Sequence, residues 1–283
     1  MNDHDKGILR DLAKQYAEIC ARPVQDERRV LWRQHNSLKQ TRPLIYVRAF
    51  AWQEMPESKC LCEEPFARQH EGAFRNLLFW NSLGDDSIFE PWTTVQATRK
   101  CGGWGICAHQ NQAMPYAEEL DDPAANVNNV KRSQLWGYMA AQELTAVSPA
   151  MHDEFILKYQ LPILNEFGLV AYGCCEDLTN KIDMLRQIQN LRRIAVSPFA
   201  DVPRCAEQIG RDYVLSYRPS PADMVSYGLD KERVRSILTK DLKACRDCHV
   251  DITLKDVETV EKDPERVKNW VAITRKAIDE VFG

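Results

Sequence analysis

The 283-residue sequence predicts an α/β fold of the (β/α)8, TIM-barrel-like kind, either complete or shortened, with helices at its N-terminus. Three observations carry this expectation. Beyond Lys131, apolar runs of strand length alternate with helix-patterned segments through short connections, the pattern of a parallel sheet. The run Pro43-Leu44-Ile45-Tyr46-Val47 is apolar on both faces, and Leu169 to Tyr172 with its neighbours reads as buried on both, as in strands covered inside and out. The length also suits a barrel of ~250 residues with a single core. The expected organisation is one domain over 1–283: a helical extension over 1–41, an irregular segment over 99–129 and a half barrel over 131–283. A doubly wound parallel sheet fits the same alternation and stays open.

Element by element, Leu9, Leu12, Tyr16 and Ile19 share one helical face, and a second helix is expected over 26–38. Pro43-Leu44-Ile45-Tyr46-Val47 reads as the first strand, 52–62 as a loop, and Pro65 opens a helix carrying Phe66, Phe74, Leu77 and Leu78 that Gly84 terminates. A short strand is expected over 93–97. The segment 99–129, rich in Gly, Asn, Asp and Pro, shows no sustained period. A helix over 134–146 follows, then one from Pro149 whose stripe is Met151, Phe155, Ile156, Tyr159, Ile163 and Leu164. Strands are then expected over 169–172, 193–196, 213–217 and 250–254, separated by helices over 178–188, 202–209 and 231–248 and closed by a helix over 264–282.

A hydrophobic fraction of 44% with 28% charged residues indicates a globular chain with little room for disorder. No apolar run approaches the ~20 residues of a membrane span. The start, charged and helix-patterned, lacks the features of a secretion signal, so a cytoplasmic address is expected. A net charge of −4 gives no general pull toward nucleic acid or anionic membranes, which favours a small-molecule substrate. Of ten cysteines, Cys20, Cys205, Cys245 and Cys248 fall on helical apolar stripes and are expected to be buried hydrophobes, the CxxC of Cys245 and Cys248 included. Cys60, Cys62, Cys101, Cys107, Cys174 and Cys175 lie in turn-rich segments and stay open to chemistry.

In a barrel, catalytic groups sit at the carboxy ends of strands. By that rule the run Gly173-Cys174-Cys175-Glu176-Asp177 concentrates most chemistry: two thiols and two carboxylates behind a glycine suited to a tight exit. Other strand ends deliver Ser197 and Asp201; Tyr217, Arg218 and Asp223; and Lys255, Asp256 and Glu258. Bland roles compete. One thiol packs inward, or both converge if the chain turns after Gly173; Glu176 or Asp177 caps the following helix; Arg218 fixes an anion or pairs with an acid; Lys255 and Asp256 form a simple ion pair. His152 reads as a surface residue, His109 is ambiguous, and Pro219-Ser220-Pro221 is a rigid turn.

At Tyr172-Gly173-Cys174-Cys175-Glu176, Leu135-Trp136-Gly137, Ser148-Pro149-Ala150-Met151-His152 and Ser216-Tyr217-Arg218-Pro219-Ser220-Pro221-Ala222-Asp223, the chain resembles a bacterial branch of the uroporphyrinogen decarboxylase-like superfamily. The resemblance spans roughly 131–282 and implies a (β/α)8 barrel. Such barrels divide between decarboxylases and zinc-dependent enzymes that move methyl groups between a corrinoid protein and a thiol or methoxylated substrate. The decarboxylase motif Arg-Pro-x-x-Trp-x-x-Arg-Gln-Ala-Gly-Arg begins here as Arg42-Pro43-Leu44-Ile45-Tyr46-Val47-Arg48 and then departs. The methyltransferase His-x-Cys is represented by Cys174 with Tyr172 in the His position, and no Cys follows the strand over 213–217.

The resemblance therefore implies a corrinoid-linked methyltransferase of zinc-thiolate type. Its expected metal ligands are Cys174, Cys175 and Glu176, with His152 or Glu154 as a distant contributor. Catalytic roles are expected for Glu176, Arg218, Asp223, Lys255 and Asp256, and substrate contacts for Tyr172, Ser197, Tyr217 and Arg48. Zinc and a corrinoid carried by a partner protein are the implied cofactors. A decarboxylase-type lyase and a non-catalytic binding or assembly subunit are the alternatives. Relatives of this branch look longer between Val95 and Gln112, so the sheet edges there need covering. A homodimer is the expected solution, with the N-terminal helices folding over the gap as the other.

Overall fold

Two helices open the chain, α1 (Asp3–Cys20) and α2 (Val24–Asn36), in a computed structural model that describes residues 1–48, 50–92, 131–226 and 228–283. The Asn2 side chain accepts the Asp5 amide and caps α1, whose stripe of Leu12, Tyr16 and Ile19 is buried as its spacing requires. Strand β1 (Leu44–Val47) follows, then α3 (Pro65–Asn81), which begins with proline in the first helical turn. Gly84 lies beyond its end at φ +75°. The strand expected over 93–97, the irregular segment 99–129, and Cys101, Cys107 and His109 lie outside the described residues.

The second part of the chain contributes β2 (Trp136–Met139), α4 (Pro149–His152), α5 (Lys158–Leu164), β3 (Leu169–Tyr172), α6 (Ile182–Leu185), β4 (Leu191–Val196) and α7 (Val202–Ile209). It continues with β5 (Val214–Tyr217), α8 (Pro221–Met224), α9 (Lys231–Ala244), β6 (His249–Leu254) and α10 (Glu265–Phe282). The six strands form one parallel sheet in the order β1-β6-β5-β4-β3-β2. Alternation sorts its two faces. Ile45, Val47, Val170, Tyr172, Ile194, Val196, Leu215, Tyr217, Ile252 and Leu254 belong to the large core shared with α7, α9 and α10. The opposite face carries Tyr46, Ala171, Arg193, Ser216, Asp251 and Thr253. Among the described residues no helix is long and apolar enough to cross a membrane.

The N-terminal helices are not an appendage, because the carboxy end of α2 plugs the amino-terminal end of that second face. Arg193 and Asp251 are buried there with His35 and Asn36. Asp251 takes hydrogen bonds from Ser216 (2.8 Å) and Thr253 (3.2 Å) and lies 3.3 Å from Arg193 and 3.5 Å from His35. Arg193 also donates to Asn36 (2.8 Å) and lies against the rings of Trp32 and Trp136. The outer edge of β1 is closed as well: Asp86 accepts the Ile45 amide and Asp85 the Val47 amide, both at 2.8 Å. Arg42 and Arg275 hold the Asp86 carboxylate in turn. Covering by a second copy is thus not needed along this edge.

Several expected elements differ. The helix expected over 134–146 is strand β2 between two short 3-10 turns, because four residues cannot display a period and parallel pairing with β3 decides their conformation. Gly137 admits the Phe167 ring at the place where a Cβ would meet it at 2.9 Å. The helix from Pro149 contains a π-helical turn, Asp153–Leu157, which rotates the stripe. Met151, Phe155, Tyr159 and Ile163 face solvent, whereas His152, expected at the surface, is buried with Leu157 and Leu164. Of the helix expected over 178–188 only α6 forms. Asp177 accepts the Thr179 amide (2.9 Å) and hydroxyl, and this local turn delays helix entry.

Candidate active site

Strand β3 delivers Gly173 to its carboxy end at φ +95°, a backbone state that glycine alone adopts cheaply. A Cβ there would also meet the Leu178 side chain at 2.6 Å. The chain therefore turns after Gly173 as the convergence of the two thiols requires, and the Cys174 and Cys175 sulfurs lie 3.7 Å apart. The loop is fixed from within. Buried Glu176 accepts the Cys174 amide through one oxygen (2.7 Å) and the Ala141 amide through the other (2.8 Å). Arg218 donates through Nη1 to the carbonyls of Gly173 (3.2 Å) and Cys174 (2.9 Å).

From β6 comes Lys255, buried, with its ammonium 2.9 Å from the Cys175 sulfur and 3.7 Å from that of Cys174. It also pairs with the exposed Asp256, whose own φ of +56° re-aims the backbone at the strand exit. Asp256 Oδ2 is 3.8 Å from the Cys175 sulfur. From β2, Tyr138 lies near enough for its hydroxyl to favour the ionised form of Cys174. The centre thus joins groups from four strands: two thiols after β3, an ammonium after β6, a phenol on β2 and a guanidinium after β5. Backbone register sets Arg48 beside Lys255, its amide donating to the Leu254 carbonyl at 2.8 Å.

The two thiols are not equivalent. Burial pushes both up, and two sulfurs in contact share at most one negative charge. For Cys174 the Tyr138 hydroxyl and the charges of Lys255 and Arg218 outweigh burial, so this thiol sits below its ordinary range. Cys175 ends above it, since burial and the neighbouring Cys174 charge exceed the help of Lys255 despite the shorter contact. Burial, which alone would lower Lys255, is overcome by its bonds to Asp256 and Cys175, which keep it protonated. The thiolate therefore belongs on Cys174, the state that attacks electrophiles.

The residues expected to surround one mouth separate into two sets. Cys174, Cys175, Arg218, Lys255 and Asp256 come together, with Glu176 beneath them as the anchor of the loop. Tyr172 does not join them. It lies on the helix side of the sheet, where its hydroxyl donates to Gln160 (2.8 Å) and must accept from His152 Nε2 (2.8 Å). His152 Nδ1 is buried without a partner among the described residues. Tyr217 likewise faces the helices and donates to Asp241. With Ser197 and Asp223 it lines a separate cleft of about 410 Å³ against α7 and α9. Asp223 pairs with Arg233, and the Ser197 hydroxyl accepts the Phe199 amide. Strand alternation, legible in Leu215-Ser216-Tyr217-Arg218, carries the signal that separates these sets. Tyr138 was missed because its segment was expected to be helical.

The remaining cysteines among the described residues lie outside this centre. Cys20, Cys62, Cys205 and Cys245 are buried, and burial raises Cys205 and Cys248 to about 11. Cys245 follows the last turn of α9, and Cys248 donates to the Ala206 carbonyl. Cys60 lies against the loop that wraps Glu71, away from the mouth.

Fold and site together define a parallel α/β protein with a thiol-ammonium centre at the carboxy edge of its sheet. No family model, curated protein or solved structure matches the chain.

Proposed function

We propose that the chain is a group-transfer enzyme on a (β/α)8 barrel, with the Cys174 thiolate as nucleophile and a corrinoid-borne methyl group as the group transferred. The barrel is supported by β1 lying beside β6, the neighbour that a barrel gives its first strand. A doubly wound sheet reverses its strand order at a switch point, and the run β2-β3-β4-β5-β6 contains no reversal. The observation that carries the chemistry is the convergence of Lys255, Tyr138 and Arg218 on Cys174, which lowers one thiol among many raised ones. The identity of the group rests on the family resemblance. The decarboxylase alternative has less support, since Arg42 is tied to Asp86 and unavailable to a substrate at the mouth.

The donor set only half fits zinc. A sulfur separation of 3.7 Å is close to what two thiolates show across a tetrahedral ion at ~2.3 Å. Glu176, however, is committed to two backbone amides, and among the described residues no three His, Cys, Asp or Glu side chains group to hold a metal. A site with three protein ligands is not formed by the described residues.

Incubation with methylcobalamin under anaerobic conditions tests the proposal. The expected result is a methyl adduct on Cys174 by peptide mass analysis, with the cobalt spectrum turning to that of cob(I)alamin, and loss of both in Cys174→Ser. An unmodified Cys174 with an unchanged spectrum overturns it. The same reading carries a homodimer, supported by the exposed ridge of Met151, Phe155, Tyr159 and Ile163. Light scattering tests this, and a monomer across the micromolar range rules it out.

A further inference from the structure

We infer that the substrate presents an oxyanion, a carboxylate or phosphate group, to Arg218 beside Cys174. The inference rests on the reading of Cys174 as the reacting thiol and goes beyond it to the substrate's charge. Arg218 is 8% exposed, and its only protein partners among the described residues are the Gly173 and Cys174 carbonyls, both reached through Nη1. Among the described residues its Nε is buried with no hydrogen-bond partner, as is that of Arg193, and no carboxylate pairs with its guanidinium. An isolated buried cation is costly, and proteins satisfy such groups with an opposite charge. The other buried arginine of this sheet face shows the contrast: Arg193 is paired with Asp251.

The acids near Arg218 are already committed. Glu176 binds two amides, and Asp256 pairs with Lys255. Any negative charge on the Cys174 sulfur is consumed when it reacts. Once the sulfur is a thioether, Lys255 keeps Asp256, whereas Arg218 has no paired carboxylate among the described residues unless the reacting molecule brings one. Arg48, set beside Lys255 by register, adds a third cation on the same edge. A guanidinium fork suits a carboxylate or phosphate, whose two oxygens it meets together.

Charge-selective alkylation tests this without methyl transfer. Iodoacetate and iodoacetamide react alike, the thiolate displacing iodide to leave a thioether, and differ in the charge they carry. The rate at Cys174 is read by peptide mass analysis, with glutathione as reference. Relative to glutathione, the ratio of iodoacetate to iodoacetamide rates should rise about tenfold, ~1.4 kcal/mol of attraction, and fall with added salt. Arg218→Met should return the ratio to the glutathione value. Should that variant not fold, Arg218→Lys and Arg48→Met provide graded losses. Slowing of iodoacetamide by acetate or by inorganic phosphate identifies which oxyanion is preferred. A reactive Cys174 with the glutathione ratio, unchanged by salt, overturns the oxyanion inference and leaves the nucleophile intact. An unreactive Cys174 overturns both. Charge selectivity without methyl transfer from methylcobalamin supports the oxyanion inference and removes only the methyl group from the proposed function.

Discussion

Two clusters of polar side chains lie at opposite ends of one sheet face, and they are built on opposite rules. At the amino end, Arg193, Asp251, His35, Asn36 and Ser216 are sealed beneath the last turn of α2, and cation and anion are matched. At the carboxy end, Cys174 and Cys175 are half-buried and Arg218 has no paired carboxylate among the described residues. The floor matches its charges within the fold, and the mouth leaves one unmatched among those residues. Buried charge by itself therefore does not mark a site; buried charge left unmatched beside a reactive group does.

The largest expected effect breaks the floor. Asp251→Ala leaves Arg193 buried without its partner and should cost about 3–5 kcal/mol in denaturant unfolding. A loss below ~1 kcal/mol would mean that the cluster is not the structural counterpart described. The cluster also sets the acid limb of stability. Burial opposes ionisation of Asp251, but Arg193, His35 and Ser216 outweigh it and hold the carboxyl at about 2. Its contribution is complete above the unfolded value of ~3.9 and is lost as pH falls toward 2. His35 acts earlier in a downward titration. Burial lowers its pKa and keeps it neutral in the fold, so stability declines once pH drops below the unfolded value of ~6.5. Unfolding curves of Asp251→Asn should lack the lower of these two stages.

Next in size is Gly173→Ala. A left-handed residue and a 2.6 Å approach to Leu178 should together cost about 1–3 kcal/mol and displace the thiol loop. Unfolding measures the first effect and the alkylation rate of Cys174 the second; normal values of both would show that the turn does not depend on glycine. Smaller still are Cys245→Ala and Cys248→Ala, each expected to cost about 1 kcal/mol through lost packing with metal content unchanged. Metal analysis of the double variant checks this, and loss of a bound ion would contradict it. Lys255→Met should move the alkylation pH profile of Cys174 upward, because removing the ammonium disfavours the thiolate. A profile that stays in place would assign the lowered thiol to Tyr138 and Arg218 alone.

Much of the fold is legible residue by residue. Strand β3 lies where the apolar run over 169–172 puts it, and β4, β5 and β6 differ from expectation by one or two residues at their starts. One face of each run is apolar because it meets the helices, and the buried polar residues Arg193, Ser216, Asp251 and Thr253 lie on the other. Strand β2 was not legible: Trp136-Gly137-Tyr138-Met139 is too short for a period, and its partner decides its state. The π-turn in the helix from Pro149 is likewise a packing outcome, and it reverses which side of a well-patterned stripe is wet.

By itself the sequence determined the parallel α/β class, a glycine suited to a tight exit at Gly173 and the burial of Cys205 and Cys245, because periodicity and glycine stereochemistry are local properties; it left open whether the two thiols converge. The tertiary structure alone decided that Lys255 reaches the thiols from 80 residues away, that Glu176 anchors the loop and that Tyr172 and Tyr217 turn toward the helices. It alone decided too that Arg193 meets a carboxylate and that Arg218, among the described residues, does not. Charge compensation depends on distances across strands, and no spacing along the chain encodes them.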